Sequence, residues 1–200
     1  MFKILSTAFL LVSLTLLQSP VSHADSPLPE NPDKLVTQCG ACHGIDGNSK
    51  NNTIPSIAGI NENYFKYAIE AYKNGNRQSD LMKRFVANLS AEEINQLAKY
   101  YGKQTFKINE QTFDEGLAQK GKVLHDKYCA KCHDNNGYVD PYNYGILAGQ
   151  GIPYLRTAIK EYLDGTRKVN PIMLAKLKRV QNEAGEAGFE QLVNFYASIK

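Results

Sequence analysis

Two short segments, Cys39-Gly40-Ala41-Cys42-His43 and Cys129-Ala130-Lys131-Cys132-His133, carry the residues of this chain best equipped for chemistry. Each places two thiols three positions apart with an imidazole directly after the second. That spacing lets both thiols form thioethers to porphyrin vinyl groups while the histidine ligates the iron, which is the pattern of covalent haem attachment. Other uses of cysteine fit less well. A zinc ribbon separates its cysteine pairs by roughly 15 to 20 residues, whereas 86 residues lie between Cys42 and Cys129. A redox C-x-x-C pair needs no following histidine and sits after a strand. Structural disulfides, the default for cysteines outside the cytosol, require no histidine at either place.

The second axial ligand of each iron follows by exhaustion. The chain has three methionines, and Met1 belongs to the N-terminal segment discussed below. Met82 lies 39 residues after His43 and Met173 lies 40 after His133, both early in a helix that follows a glycine-ended one. A methionine on a helix is ordinarily core filling, but matched placement in two halves points to thioether ligation of iron. The remaining histidine of the exported chain, His125 in Leu124-His125-Asp126, precedes the second motif by one to two turns and reads as a surface or packing residue. Histidine and methionine together fill both axial positions and raise the reduction potential relative to two histidines, because the soft thioether favours ferrous iron. Such a centre passes electrons and leaves no open position for oxygen or peroxide. A proximal histidine donates its other N–H to a carbonyl; Pro55 is the natural acceptor in the first half and Gly145 in the second, a difference that predicts unequal potentials.

Both motifs belong to a longer repeat. Displacing the sequence by 90 residues matches Ser56-Ile57-Ala58-Gly59 with Ile146-Leu147-Ala148-Gly149, and Tyr64, Tyr72 and Gly75 with Tyr154, Tyr162 and Gly165. One further residue brings Met82 opposite Met173. A period of this length marks a duplicated domain, with halves expected at residues 25–107 and 108–200.

Helices must position these groups. Asn31 before Pro32 predicts a cap and first turn leading to Cys39. A helix is expected from Glu62 to Asn74, ended by Gly75. Ser90 with Glu93 forms a capping box, with Leu89 and Ile94 as a staple, and opens a helix whose inner face carries Ile94, Leu97, Ala98 and Tyr101. In the second half Thr112 with Glu115 predicts another box, Pro153 and Gly165 bracket a helix, Asn170-Pro171 opens the one bearing Met173, and Gly188 precedes a last helix carrying Leu192, Phe195 and Tyr196. No alternating strand is evident, so the expected class is all-α. Halves this small would be marginal alone, so each haem is expected to supply much of its core. Tyr138, Tyr142 and Tyr144 read as loop packing.

The N-terminus bounds the compartment. Lys3 precedes an uncharged apolar run from Ile4 to Leu17, shorter than the roughly 20 residues a spanning helix needs, and Ser22-His23-Ala24 supplies small residues at a cleavage site. The expected product is an exported, periplasmic chain starting at Asp25, without a lipid or transmembrane anchor. The net charge of +3 falls to +2 once Lys3 is removed. Acidic and basic residues are interspersed, which excludes a nucleic-acid footprint.

With these residues placed, the mature chain resembles the dihaem class I cytochromes, whose two small helical domains are related by a pseudo-twofold and carry one haem c each. Residues 42–49, from Cys42 to Ser49, and the Ile146–Gln150 segment are similar to cytochrome c4. The linker residues 102–106, residues 124–133 around the second motif, Met173 to Arg179, Gly185 to Phe189 and Asn194 to Lys200 resemble the cytochrome subunit of flavocytochrome c sulfide dehydrogenase, most strongly from Tyr100 onward. That resemblance implies a separate FAD-containing flavoprotein that oxidises sulfide and a dihaem subunit that receives its electrons for a downstream acceptor protein. Carried onto this chain, Cys39, Cys42, Cys129 and Cys132 bind haem and His43, Met82, His133 and Met173 ligate iron. No glycine-rich dinucleotide fingerprint and no spare cysteine pair occur, so catalysis is expected to reside in the partner. The alternative is a free carrier of the cytochrome c4 type serving a terminal oxidase or reductase.

Overall fold

In the computed structural model, which describes residues 32–138 and 144–200, the chain is helical throughout, and the only β pairing among the described residues is an isolated antiparallel bridge between Arg77 and Arg167. The expected signal segment, the Asn31 cap and Tyr142 lie outside the described residues. The first half contains α1 (Pro32–His43), α2 (Glu62–Lys73), α3 (Asp80–Val86) and α4 (Ala91–Gly102); the second contains α5 (Glu115–Tyr128), a short α6 (Asp134–Gly137), α7 (Ile152–Leu163) and α8 (Pro171–Ser198). None of the described helices is long and apolar enough to cross a membrane.

Capping chemistry explains most of these boundaries. Asn61 accepts from the Asn63 and Tyr64 amides to open α2, and Ser90 and Glu93 form the reciprocal box that opens α4. Thr112 does not cap α5. Asp114 does, its carboxylate accepting from the Leu117 amide at 2.7 Å, because a carboxylate two residues later reaches an N-terminal amide directly and favours the helix dipole. Gly188 does not separate the last two helices either. The break falls at Gly185, where φ is 61° and ψ −154°, and Gly188 is buried inside the helix that follows.

Two apolar clusters form separate cores. Leu35, Phe65, Ile69, Val86, Ile94, Leu97 and Tyr101 pack in the first half, with Cys39 and Met82 against them. In the second, Leu124, Leu155, Leu177, Val180, Phe189, Leu192 and Tyr196 pack with Cys129 and Met173 at their margin. The duplication extends to the backbone. The Gly47 carbonyl accepts from Ile57 and Ala58, and that of Gly137 from Leu147 and Ala148; Gly59 donates to the Tyr101 carbonyl, and Gly149 to that of Tyr196.

Candidate functional site

The expected ligand residues meet in one place. Cys39, Cys42, His43 and Met82 line a mostly apolar cavity of about 1050 Å³ together with Cys129, Cys132, His133 and Met173. That volume is at or above the upper end of the roughly 300–1,000 Å³ usual for a single small-molecule site, and it extends through both halves.

Each motif is delivered by the end of a helix. The last turn of α1 carries Cys39, Cys42 and His43, whereas α5 stops at Tyr128 and the second motif forms a tight turn in which the Cys132 and His133 amides donate to the Cys129 carbonyl. Both histidines are buried, His43 at 8% and His133 at 7% exposure. The His43 Nδ1 lies 2.8 Å from the Pro55 carbonyl oxygen. A carbonyl only accepts, so Nδ1 carries the proton and Nε2 keeps its lone pair. Burial holds His43 below the ordinary histidine value in spite of that hydrogen bond, and burial, with His125 adding a smaller repulsion, lowers His133 to about 4. Both are therefore neutral imidazoles at neutral pH, the form that binds iron. Among the described residues the His133 ring has no hydrogen bond matching that of His43; it packs edge-on to Tyr144 at 6.0 Å between centroids.

The thiols are unpaired. Burial pushes Cys39 and Cys129 up to about 11, which argues against an activated nucleophile. Tyr101 and Tyr196 stand at corresponding places in the two halves; the Tyr101 hydroxyl donates to the Val36 carbonyl at 3.4 Å and the Tyr196 hydroxyl lies 3.1 Å from His125 Nδ1. Met82 and Met173 are each the third residue of their helix, with Ser79 and Asn170 as the caps. The donor set of two thiols, one neutral imidazole and one thioether per half fits a haem c in each. His125 is a packing residue, buried at 1% exposure, with its Nδ1 3.1 Å from the Tyr196 hydroxyl. Tyr138 packs edge-on to Phe106.

The wall between the two motifs consists of residues to which sequence reasoning assigned no role. Arg77 Nη2 donates to the Tyr154 hydroxyl at 3.2 Å and Arg167 Nη2 to the Tyr64 hydroxyl at 3.0 Å, each crossing from one half to the other. Each guanidinium also covers a tyrosine of its own half, Arg77 over Tyr72 at 4.5 Å and Arg167 over Tyr162 at 4.4 Å. The seam is isologous, as a twofold requires. The signal was present in the repeat, since Arg77 and Arg167 also stand 90 residues apart. Gln150 breaks the symmetry, accepting from the Ser56 amide and donating to its carbonyl.

Known proteins agree with this architecture. Residues 33–100 match the family model described as cytochrome C oxidase, cbb3-type, subunit III. The chain is 30% identical over 167 residues to cytochrome c4 of Pseudomonas aeruginosa, covering 79% of this chain and 83% of that protein. It is 39% identical over 80 residues to the cytochrome subunit of sulfide dehydrogenase of Chlorobaculum tepidum, covering 40% of this chain and 72% of that one. The crystal structure of reduced recombinant cytochrome c4 from Pseudomonas stutzeri superposes with a TM-score of 0.72 at 24% identity, over 84% of this chain and 97% of that one. The fold is therefore that of class I cytochromes c in tandem, and the chain belongs to the cytochrome c4 family of dihaem, electron-transferring cytochromes.

Proposed function

We propose that this chain is the dihaem electron-accepting subunit of a sulfide-oxidising flavocytochrome, and that it passes electrons from an FAD-containing flavoprotein to a downstream acceptor. In this reading residues 1–24 are a cleaved signal peptide, the mature chain is periplasmic, and residues 25–107 and 108–200 are its two domains. Cys39 and Cys42 hold one haem c, with His43 and Met82 on its iron; Cys129 and Cys132 hold the other, with His133 and Met173. The bound iron supplies a one-electron ferric/ferrous couple. Everything else is the protein's work. With iron bound, the His43 and His133 imidazoles and the Met82 and Met173 thioethers would hold it and leave it to electron transfer, and this reading assigns no catalytic residue to the chain. The apolar lining excludes water, which limits the reorganisation that accompanies a change of charge. The single cavity reached by both motifs is the observation that carries the reading, because it lets one chain both collect and forward electrons.

Support for the sulfide-linked role comes from the higher identity, over 80 residues, to the sulfide dehydrogenase cytochrome subunit. A second reading, a free carrier of the cytochrome c4 type donating to a terminal oxidase or reductase, is favoured by the longer match to cytochrome c4. Isolation of the native protein separates the two. The proposal expects a tightly bound flavoprotein and haem reduction by sulfide only in its presence. A chain that purifies alone, with sulfide reduction unchanged by added flavoprotein, would establish the carrier.

A further inference from the structure

The surface cations of the second half fall into two groups. Lys122, Lys127, Arg156 and Lys160 are each paired with a carboxylate, those of Asp126, Glu183, Glu190 and Asp164 in turn. Lys131, Lys168, Lys176, Lys178 and Arg179 form no ion pair among the described residues. The even mix of charges along the chain breaks down here, since no acid occurs between Asp164 and Glu183. Glu183 is engaged by Lys127, and the one acid lining the cavity, Glu161, faces Arg167. Lys176 and Arg179 stand three residues apart in α8, where side chains are neighbours, so their like charges repel. The fold gains nothing from this arrangement.

The cavity defines where these cations stand. Lys131, within the second motif, and Lys168 and Lys176, on either side of Met173 in the chain, all line it. Lys178 and Arg179 continue the surface along the exposed side of α8. The repeat shows that they belong to one half alone. Ala41 corresponds to Lys131 and Gln78 to Lys168, while Phe85, Ala87 and Asn88 correspond to Lys176, Lys178 and Arg179. In the first half the only cation lining the cavity is Arg77, at the seam, and Lys83 and Arg84 of α3 do not line it. The same surface therefore exists twice, once without charge and once with five unpaired cations.

Charge placed in this way acts at a distance. Exposed charges are felt over about 8 to 10 Å at physiological salt, and a surface of one sign speeds encounter with a partner of the other sign and orients it. Permanent subunit contacts are more apolar. A cationic rim therefore suits a partner that docks, exchanges an electron and leaves.

We propose that the second-half surface formed by Lys131, Lys168, Lys176, Lys178 and Arg179 docks an electron-accepting protein through a carboxylate-bearing face, so that electrons leave the chain from this half. This rests on the reading that the chain holds two haems c and forwards electrons to an acceptor protein. One electron passes per encounter: ferrous iron becomes ferric, the acceptor's one-electron centre is reduced, and no bond is made or broken. Because three of the five cations border the cavity reached by the haem-binding motif, the surface fits an acceptor protein better than a bilayer, and lipid binding is the competing outcome.

The test uses the purified holo-protein, with its flavoprotein where one co-purifies. Haems are counted by the pyridine haemochrome method and reduced with ascorbate, which is then removed. Stopped flow follows their oxidation by oxidised plastocyanin, a copper protein with an acidic face, between about 10 and about 300 mM salt. The proposal expects the second-order rate constant to fall at least about tenfold over that range. Lys168→Glu combined with Arg179→Glu should lower the low-salt constant at least about fivefold, whereas Gln78→Glu combined with Asn88→Glu, the corresponding positions of the first half, should change it less than about twofold. A wild-type rate constant indifferent to salt would overturn the proposal, and so would equal losses in the two double variants. Binding to vesicles of phosphatidylserine and phosphatidylcholine that is abolished by Lys168→Glu with Arg179→Glu would assign the surface to lipid instead. A count other than two haems, or ferrous haems that hexacyanoferrate(III) does not oxidise, would overturn the underlying reading together with the proposal.

Discussion

Helix α2 and helix α7 occupy the same place in the two halves, yet they are started differently. In α2 the N-cap is Asn61, whose side chain satisfies two amides of its own first turn. The corresponding residue in α7 is Gly151, which has no side chain to offer. There the Ile152 amide donates to Gln111 Oε1 at 2.8 Å and the Tyr154 amide to the Asn52 carbonyl of the first half at 3.2 Å. Glycine is required because a Cβ at this position would overlap the Asn52 carbonyl. The first half caps itself, whereas the second is capped partly by its neighbour. Duplication has kept the two cysteine–histidine motifs alike and let this part of the seam diverge, so α7 takes from the first half a cap that α2 does not need in return.

That comparison is open to attack at several depths. The deepest is at the iron. If the halves are equivalent there, Met82→His and Met173→His should each lower one midpoint by at least about a hundredfold in equilibrium constant, roughly 120 mV, and by similar amounts. Spectroelectrochemistry reads both, and a drop confined to one variant would show that only one methionine is a ligand. At the seam, Gly151→Asn should cost about 3 kcal/mol or more through overpacking against Asn52, while Asn61→Ala should cost about 1 kcal/mol through loss of a cap. Denaturant titration with visible and far-ultraviolet detection measures the pair. Equal losses would mean that α7 is not capped across the seam.

The smallest expected effect concerns acid. His125 takes the place of Leu35 in the repeat, and burial holds it below the ordinary histidine value. The unfolded chain therefore binds a proton that the folded chain resists, so this residue's contribution is present above the unfolded value and is lost as pH falls below about 6.5. In His125→Leu the unfolding midpoint should decline less between about pH 7 and about pH 5 than in wild type. A decline of equal size would assign the acid sensitivity elsewhere.

Much of this was legible in the sequence for a local reason. Cysteine spacing, the following histidine and the capping residues act within a turn or two of chain, and the methionines stand out because the repeat doubles a weak signal. Thr112 with Glu115 fits the capping-box pattern, and only the finished turn shows that it is the Asp114 oxygen that reaches an amide. Gly188 and Gly185 both fit a break, and which one makes it depends on which is packed in the core. The seam was legible only as a repeat of Arg77 in Arg167, and not as a set of contacts. Its partners, Arg77 with Tyr154, Arg167 with Tyr64 and Gln150 with Ser56, lie 77 to 103 residues apart, and helical periodicity carries no information over that range.

Peptide-mapped mass spectrometry of the purified holo-protein tests the central claim most directly. The account predicts one haem adduct on the peptide containing Cys39 and Cys42 and a second on the peptide containing Cys129 and Cys132. Free thiols, cystine or an adduct on only one of the two peptides would contradict it.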